Sequence, residues 1–135
     1  MKDLFEYNIN DKRELLISGL HDAEIFSSAS QASEQQLELN LVSEAGEKIQ
    51  FKFAGVLGFS FVDLFGQNIV SDVYVWDSVS GEVLVSKYEE MVGNNGGTSD
   101  ERDRIEKKSV DLIEFVPSVG ANIRVFFHSA SVEIE

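Results

Sequence analysis

Polar and apolar residues alternate most regularly between residues 37 and 53. Leu37, Leu39 and Leu41 are separated by Glu38 and Asn40, and Ile49, Phe51 and Phe53 by Gln50 and Lys52. A period of two is the signature of a strand with one buried face, so these runs predict two half-buried strands. Between them, Glu44-Ala45-Gly46 fits a three-residue hairpin loop with glycine in the left-handed region. Pairing Ser43 with Glu47 sets Leu41 opposite Ile49, Leu39 opposite Phe51 and Leu37 opposite Phe53. Glu38 then meets Lys52 on the other face, and a slip of one residue would bury that charged pair.

The same pattern recurs at Val73–Asp77 and Glu82–Val85, and Val79-Ser80-Gly81 supplies a second loop ending in glycine. A second hairpin is predicted, with Val75 facing Val85 and Trp76 facing Leu84. The stretch 54–66 is apolar with three glycines and reads as a strand turning a corner, its aromatics in the core. Residues 10–19 suggest a short helix or turn capped by Asp11 and closed by Gly19, and 86–91 a single helical turn. Residues 93–108 hold little to bury and are expected to form a flexible loop. Strands are expected at 110–116, 123–127 and 132–134, with a turn at Pro117-Ser118-Val119-Gly120. Together these predict one mainly β domain over 1–135: an antiparallel curved sheet or small β-sandwich of about seven to eight strands, with at most two short helices.

Composition supports an independently folding domain. With 135 residues, 43% of them hydrophobic, and one proline, the chain can bury roughly 68% of its unfolded surface. Cysteine is absent, which excludes disulfides, thiolate catalysis and sulfur-ligated zinc or iron–sulfur sites. No apolar run reaches membrane-spanning length, and the opening Met1-Lys2-Asp3-Leu4-Phe5-Glu6 carries acids where a signal peptide needs basic and then apolar residues. A cytoplasmic location is the expectation.

Charge narrows the function classes. The formal net charge is -13, from 24 acids against 11 Lys and Arg. A field of that sign repels nucleic-acid backbones and anionic membranes and favours a basic protein partner, although much of it serves solubility. The one basic cluster, Arg102, Arg104, Lys107 and Lys108, is interleaved with Asp100, Glu101, Asp103 and Glu106 and nearly self-neutral.

Candidate chemistry is sparse. The sequence has no phosphate-binding loop, dinucleotide fingerprint, zincin motif, calcium loop or nucleophile elbow. Glu89-Glu90 and Asp100-Glu101 sit in polar segments with no apolar pocket to raise a carboxyl pKa. No cofactor, resident metal or catalytic residue is expected. The two histidines, His21 and His128, would make a zinc site only with a carboxylate such as Asp22. The stronger reading gives the His21-Asp22-Ala23 step a structural role, its side chains tying the turn before the first long strand to the sheet. Asp72, Tyr74, Trp76 and Asp77 form an aromatic strand flanked by acids, a candidate face for a cationic partner, although core packing also accounts for Trp76. A rival reading is a small enzyme or ligand carrier with a pocket lined by Phe59, Phe61, Phe65, Tyr74 and Trp76.

Three features occur in order. A His-Asp-Ala step within Leu20-His21-Asp22-Ala23-Glu24-Ile25 enters the first strand, the hairpin 37–53 follows, and Pro117-Ser118-Val119-Gly120-Ala121 precedes a strand and a closing Ser-Val-Glu-Ile. This arrangement resembles small bacterial all-β proteins grouped as immunity protein family 50 of polymorphic toxin systems. The likeness spans about residues 20–135, and its motif is three residues long. It implies a toxin-neutralising binder and brings no catalytic residues with it.

Overall fold

The alternating runs form the hairpin their pattern predicts. In a computed structural model that describes residues 1–62, 66–77, 81–92 and 110–135, β5 (Gln36–Val42) pairs antiparallel with β6 (Lys48–Ala54). The register is Leu37↔Phe53, Glu38↔Lys52, Leu39↔Phe51 and Leu41↔Ile49. The Ser43 N–H donates to the Glu47 carbonyl at 2.8 Å and the Gly46 N–H to Ser43 at 2.9 Å, with Gly46 at φ 87°. The six apolar side chains are buried on one face, while Lys52 and Glu38 approach to 3.9 Å on the other.

The remaining strands are β1 (Lys2–Asp3), β2 (Asn8–Ile9), β3 (Leu15–Leu16), β4 (Glu24–Gln31), β7 (Gly58–Val62), β8 (Ile69–Trp76), β9 (Asp111–Val119), β10 (Asn122–Phe127) and β11 (Ser129–Ile134), and α1 spans Gly81–Val92. Among the described residues, nine strands form one antiparallel sheet in the order β1-β11-β6-β5-β4-β8-β9-β10-β7, and β2 and β3 pair separately. The chain is therefore mainly β, with more strands than its alternation alone predicted. The short, irregular strands near the N-terminus carry no clear period to read.

Three regions settle an open alternative or depart from expectation. First, residues 10–19 take the turn, not the helix, of the two forms expected there, with Asn10 rather than Asp11 as the capping residue. The Asn10 side-chain oxygen accepts from the N–H groups of Lys12 and Glu14 at 2.9 Å each, Arg13 takes φ 68°, and the chain returns as β3. An asparagine that captures local backbone donors competes with helix formation.

Second, residues 82–85 belong to α1, so Val75 and Trp76 pair not with Val85 and Leu84 but with Ile113 and Leu112 of β9. Leu84, Tyr88 and Met91, four and three apart, share a helical face packed on the buried Val110, Leu112 and Phe126. The proposed loop residues 79–80 lie outside the described residues, as does the expected flexible loop 93–108.

Third, Phe59 is 43% exposed, and Phe61 is only partly buried against the main core, because they lie on the edge strand β7. Phe65 falls outside the described residues. Pro117 also sits within β9, where the ladder shifts register around Val70 and accommodates a residue without an N–H.

The predicted corner is made at Gly55, between β6 and β7. Gly55 takes φ 62°, and a Cβ there would stand 2.6 Å from the His128 Cβ. His128 is the only residue between β10 and β11, and its N–H donates to the carbonyls of Ala54 and Gly55 at 3.1 Å each. Two strand pairs, β6 with β11 and β7 with β10, thus meet at one close crossing. Side chains from both ends of the sheet share one core. The Phe51 ring on β6 meets Phe115 on β9 edge-on at 5.2 Å, and Phe53 meets Phe127 at 5.3 Å. A smaller second core lies on the opposite face of β9 and β10, under α1.

Candidate functional site

The strands β8, β9 and β10 present Val73, Val75, Ile113, Phe115, Ile123 and Val125 to the main core. Alternation turns Tyr74, Trp76, Leu112, Glu114, Arg124 and Phe126 the other way. Cross-strand pairing lines up Tyr74, Glu114 and Arg124 in one row. The Glu114 side chain is only 7% exposed, and one oxygen accepts from Arg124 Nε at 2.6 Å while the other accepts from Lys87 Nζ at 3.3 Å. Arg124 also reaches Glu90 of α1 at 3.1 Å. Burial alone lowers the Arg124 pKa, but its bonds to Glu114 and Glu90 outweigh that and hold it above its ordinary value. This network fastens α1 to the sheet. Sequence reasoning missed it, though its signal was a lone charge in each of two apolar runs, Leu112-Ile113-Glu114-Phe115-Val116 and Ile123-Arg124-Val125-Phe126-Phe127.

The residues singled out from the sequence divide between two places. The Tyr74 and Trp76 rings lie 5.8 Å apart on the α1 side, tilted by 33°, and Lys87 Nζ lies 4.6 Å over the Trp76 ring. Trp76 therefore packs against the second core while keeping partial exposure. Asp72 accepts from the Ser71 hydroxyl at 2.9 Å, and Asp77 pairs with Arg13 at 3.5 Å. Of the five aromatics proposed to line a pocket, Phe65 lies outside the described residues, and the other four are divided between two faces of the sheet. Phe59 and Phe61 pair across to Val125 and Ile123 on the main-core face, opposite to the face that carries Tyr74 and Trp76.

The His21-Asp22-Ala23 step runs alongside β8. His21 Nδ1–H donates to the Ser71 carbonyl at 2.6 Å, the Asp22 N–H donates to Val70 at 2.9 Å, and Val70 N–H returns a bond to Ala23 at 2.9 Å. Ala23 is fully buried, whereas the His21 side chain is 71% exposed and lies 3.5 Å from the Asp22 carboxylate. The Ser71 carbonyl, then Asp22, raise the His21 pKa above its ordinary value. Among the described residues, no three His, Asp or Glu side chains form a group suited to a metal ion, so His21, Asp22 and His128 are not brought together.

A different stretch of the chain concentrates acids. From Glu14 to Glu47 the chain carries seven acids, Glu14, Asp22, Glu24, Glu34, Glu38, Glu44 and Glu47, and no Lys or Arg. This segment contains β4 and β5. Beside them lies an open groove of about 370 Å³ whose floor is made of small residues, Ala29 and Ser131 among them, with Glu38, Lys52, Gln31 and Gln36 around it. Ala29, Glu38, Lys52, Ser131 and Asp3 line up across five adjacent strands on that face. Neighbouring polar side chains are ordered by contact with one another: Asn40 bonds Ser27 at 3.0 Å and Gln50 at 2.8 Å.

Among the described residues, no helix is long and apolar enough to cross a membrane. Comparison with known protein families gives no match, and comparison with curated proteins gives none either. Among solved structures, the chain is similar to an uncharacterized protein from Neisseria gonorrhoeae, with a TM-score of 0.49 and 10% identity over 84% of this chain and 91% of that one.

Proposed function

We propose that this chain is an acidic protein-interaction module of the immunity type, which binds and neutralises a basic toxin in the bacterial cytoplasm. The observation that carries this reading is the charge distribution. A net charge of -13 includes seven acids and no Lys or Arg between Glu14 and Glu47, in a segment whose β4 side chains are largely exposed. Charge of one sign over a contiguous surface accelerates encounter with an oppositely charged partner and discourages other partners. The resemblance around His21-Asp22-Ala23 favours the same class. On this reading the step holds the first long strand in place, and the chain performs no chemistry itself.

The architecture that would present this surface is a curved sheet folded into a small sandwich. Two relations support it: β10 and β11 are separated only by His128 yet stand six places apart in the sheet order, and Phe51 touches Phe115 across four strand spacings. Those four spacings amount to about 19 Å in a flat sheet.

The test is capture of the partner from native cells, its identification, and stopped-flow association of the purified pair at two salt concentrations. The partner should have a basic isoelectric point. The association rate should fall steeply as the screening length shortens from about 30 Å in 10 mM salt to about 8 Å at physiological ionic strength. A neutral or acidic partner, or a rate insensitive to salt, refutes the proposal.

A further inference from the structure

The strand β4 lies inside the sheet order, yet most of its length is an edge. On one side it pairs with β5 from Glu24 to Gln31, whereas on the other it meets β8 only at Glu24↔Ile69. The last backbone bond on that side is donated by the Ile25 N–H to Asn68, at 2.8 Å. Residues 26–31 are all exposed, and among the described residues no strand pairs with them on the side away from β5. Every second residue of an antiparallel strand turns its N–H and C=O outward, so this edge offers a template about 20 Å long.

Proteins commonly blunt such edges with lysine, proline or a covering element. Here the edge reads Phe26-Ser27-Ser28-Ala29-Ser30-Gln31, with neither lysine nor proline. Phe26 stands at its start, 54% exposed and beside the register shift between Ile25 and Ser27.

Charge and shape select the occupant. A second copy would bring together two chains of net charge -13, each with the same acid-only segment, whereas a cationic strand is attracted. The groove reaches this edge through Ala29 and Gln31. A residue of an added strand placed opposite Ala29 would extend the row that continues through Glu38 and Lys52. Because Ala29 is small, a long basic side chain at that position spans it to reach the Glu38 carboxylate, which is half-buried and held by Lys52 only at 3.9 Å.

We infer that residues 26–31 of β4 are the docking strand for an extended basic segment of a partner protein, which adds to the sheet and lays a Lys or Arg across Ala29 toward Glu38. The inference rests on the proposed role as an acidic docking module and assigns the surface that performs it. Backbone bonds supply general affinity in this mode, and alternate side chains supply specificity.

The probe is a synthetic peptide of about seven residues that alternates arginine with valine, and a glutamate-for-arginine peptide is the control. Amide exchange of the intact protein is followed by NMR. The arginine peptide should slow alternate amides within Phe26–Gln31 by about tenfold or more, and the control should leave them unchanged. Ala29→Arg, which fills the path with like charge, should weaken arginine-peptide binding about tenfold, and Glu38→Gln should weaken it severalfold. Unchanged melting and circular dichroism would verify that both variants fold. Binding that protects other amides, for example around Asp72–Asp77, overturns the docking strand and leaves the acidic-module reading standing. Equal binding of the glutamate peptide overturns both. Absence of binding by either peptide at millimolar concentration overturns the docking strand, while the natural partner's salt dependence still judges the broader reading. Protection of the same amides without peptide, accompanied by a dimer in sedimentation, replaces the partner with a second copy and overturns the inference.

Discussion

Substituting Gly55 by alanine tests the corner that joins the two ends of the sheet. Gly55 sits at φ 62°, where an L-residue pays conformational strain of about 1–2 kcal/mol. The added Cβ would stand 2.6 Å from the His128 Cβ, well inside ordinary contact, and that neighbour is fixed to the backbone and has no torsion with which to swing away. Forcing a close-packed crossing apart costs about 1–3 kcal/mol. Reduced freedom of the unfolded chain returns about 0.4–1 kcal/mol. The net loss is about 2–4 kcal/mol, which in urea lowers the midpoint by about 1–2 M without a change in slope.

Gly46→Ala is the control, since Gly46 has φ 87° and a methyl group added there would meet nothing within 4 Å. It carries the backbone strain alone and should cost about 1 kcal/mol. Pairing Gly55→Ala with His128→Gly removes the clash between the two β-carbons at the crossing, so the double variant should recover a coupling of about 1–3 kcal/mol. If Gly55→Ala costs no more than Gly46→Ala, or if the coupling is absent, the close crossing does not limit the corner and the reasoning fails.

Three further perturbations probe other parts of the molecule. Glu114→Gln weakens a nearly buried ion network while retaining its volume, and should cost about 1–3 kcal/mol in urea titration after allowance for the partial exposure of Arg124 and Lys87; an unchanged midpoint would show that the network contributes specificity without stability. Tyr88→Ala removes a side chain that is 2% exposed and edge-on to Phe126 at 5.3 Å, and should cost about 3–5 kcal/mol while shifting the emission of Trp76, the sole tryptophan, as α1 loosens; unchanged emission would contradict the described packing. His21 has a raised pKa in the folded chain, so its charge-dependent stabilisation is complete below about pH 6.5 and is lost as pH rises through the folded value. The melting-temperature gap between wild type and His21→Gln should therefore be wider at about pH 5.5 than at about pH 8.5, and a constant gap would remove the charged form's bond to the Ser71 carbonyl and its attraction to Asp22 from the account.

The hairpin around Gly46 shows what a local pattern suffices to specify. Its strands are adjacent in sequence, each has one buried face, and its loop fixes the register, so Leu37–Phe53 and Glu38–Lys52 were legible from alternation alone. The corner was legible for a related reason, because a glycine in an apolar stretch announces a backbone that bends or approaches another closely. The Val83-Leu84-Val85 triplet carried no such information. A short apolar run suits a strand or a buried helix equally, and only the 12 residues of α1 taken together bring Leu84, Tyr88 and Met91 onto one face.

Charge location follows the same division. The excess of acids was visible at once, but that Glu38 lies one strand in from the β4 edge, directly across from Ala29, depends on how β4 and β5 pair and on where β4 diverges from β8. Likewise Glu114 and Arg124 were visible as isolated charges, yet their pairing required β9 and β10 to lie side by side beneath Lys87.

Local pattern was enough for the β character, one complete hairpin with its register, a corner somewhere within the three-glycine stretch 54–66 and the sign of the field. These follow from neighbours in the chain, or from sums over it. Only the packing of whole faces settled that β8 pairs with β9, that residues 81–92 cover the second apolar face of β9 and β10 as a helix, and that β4 parts from β8 after Glu24 with no other described strand beside it there. Those outcomes depend on which distant apolar surfaces bury one another best, a competition among whole faces that no short stretch of sequence records.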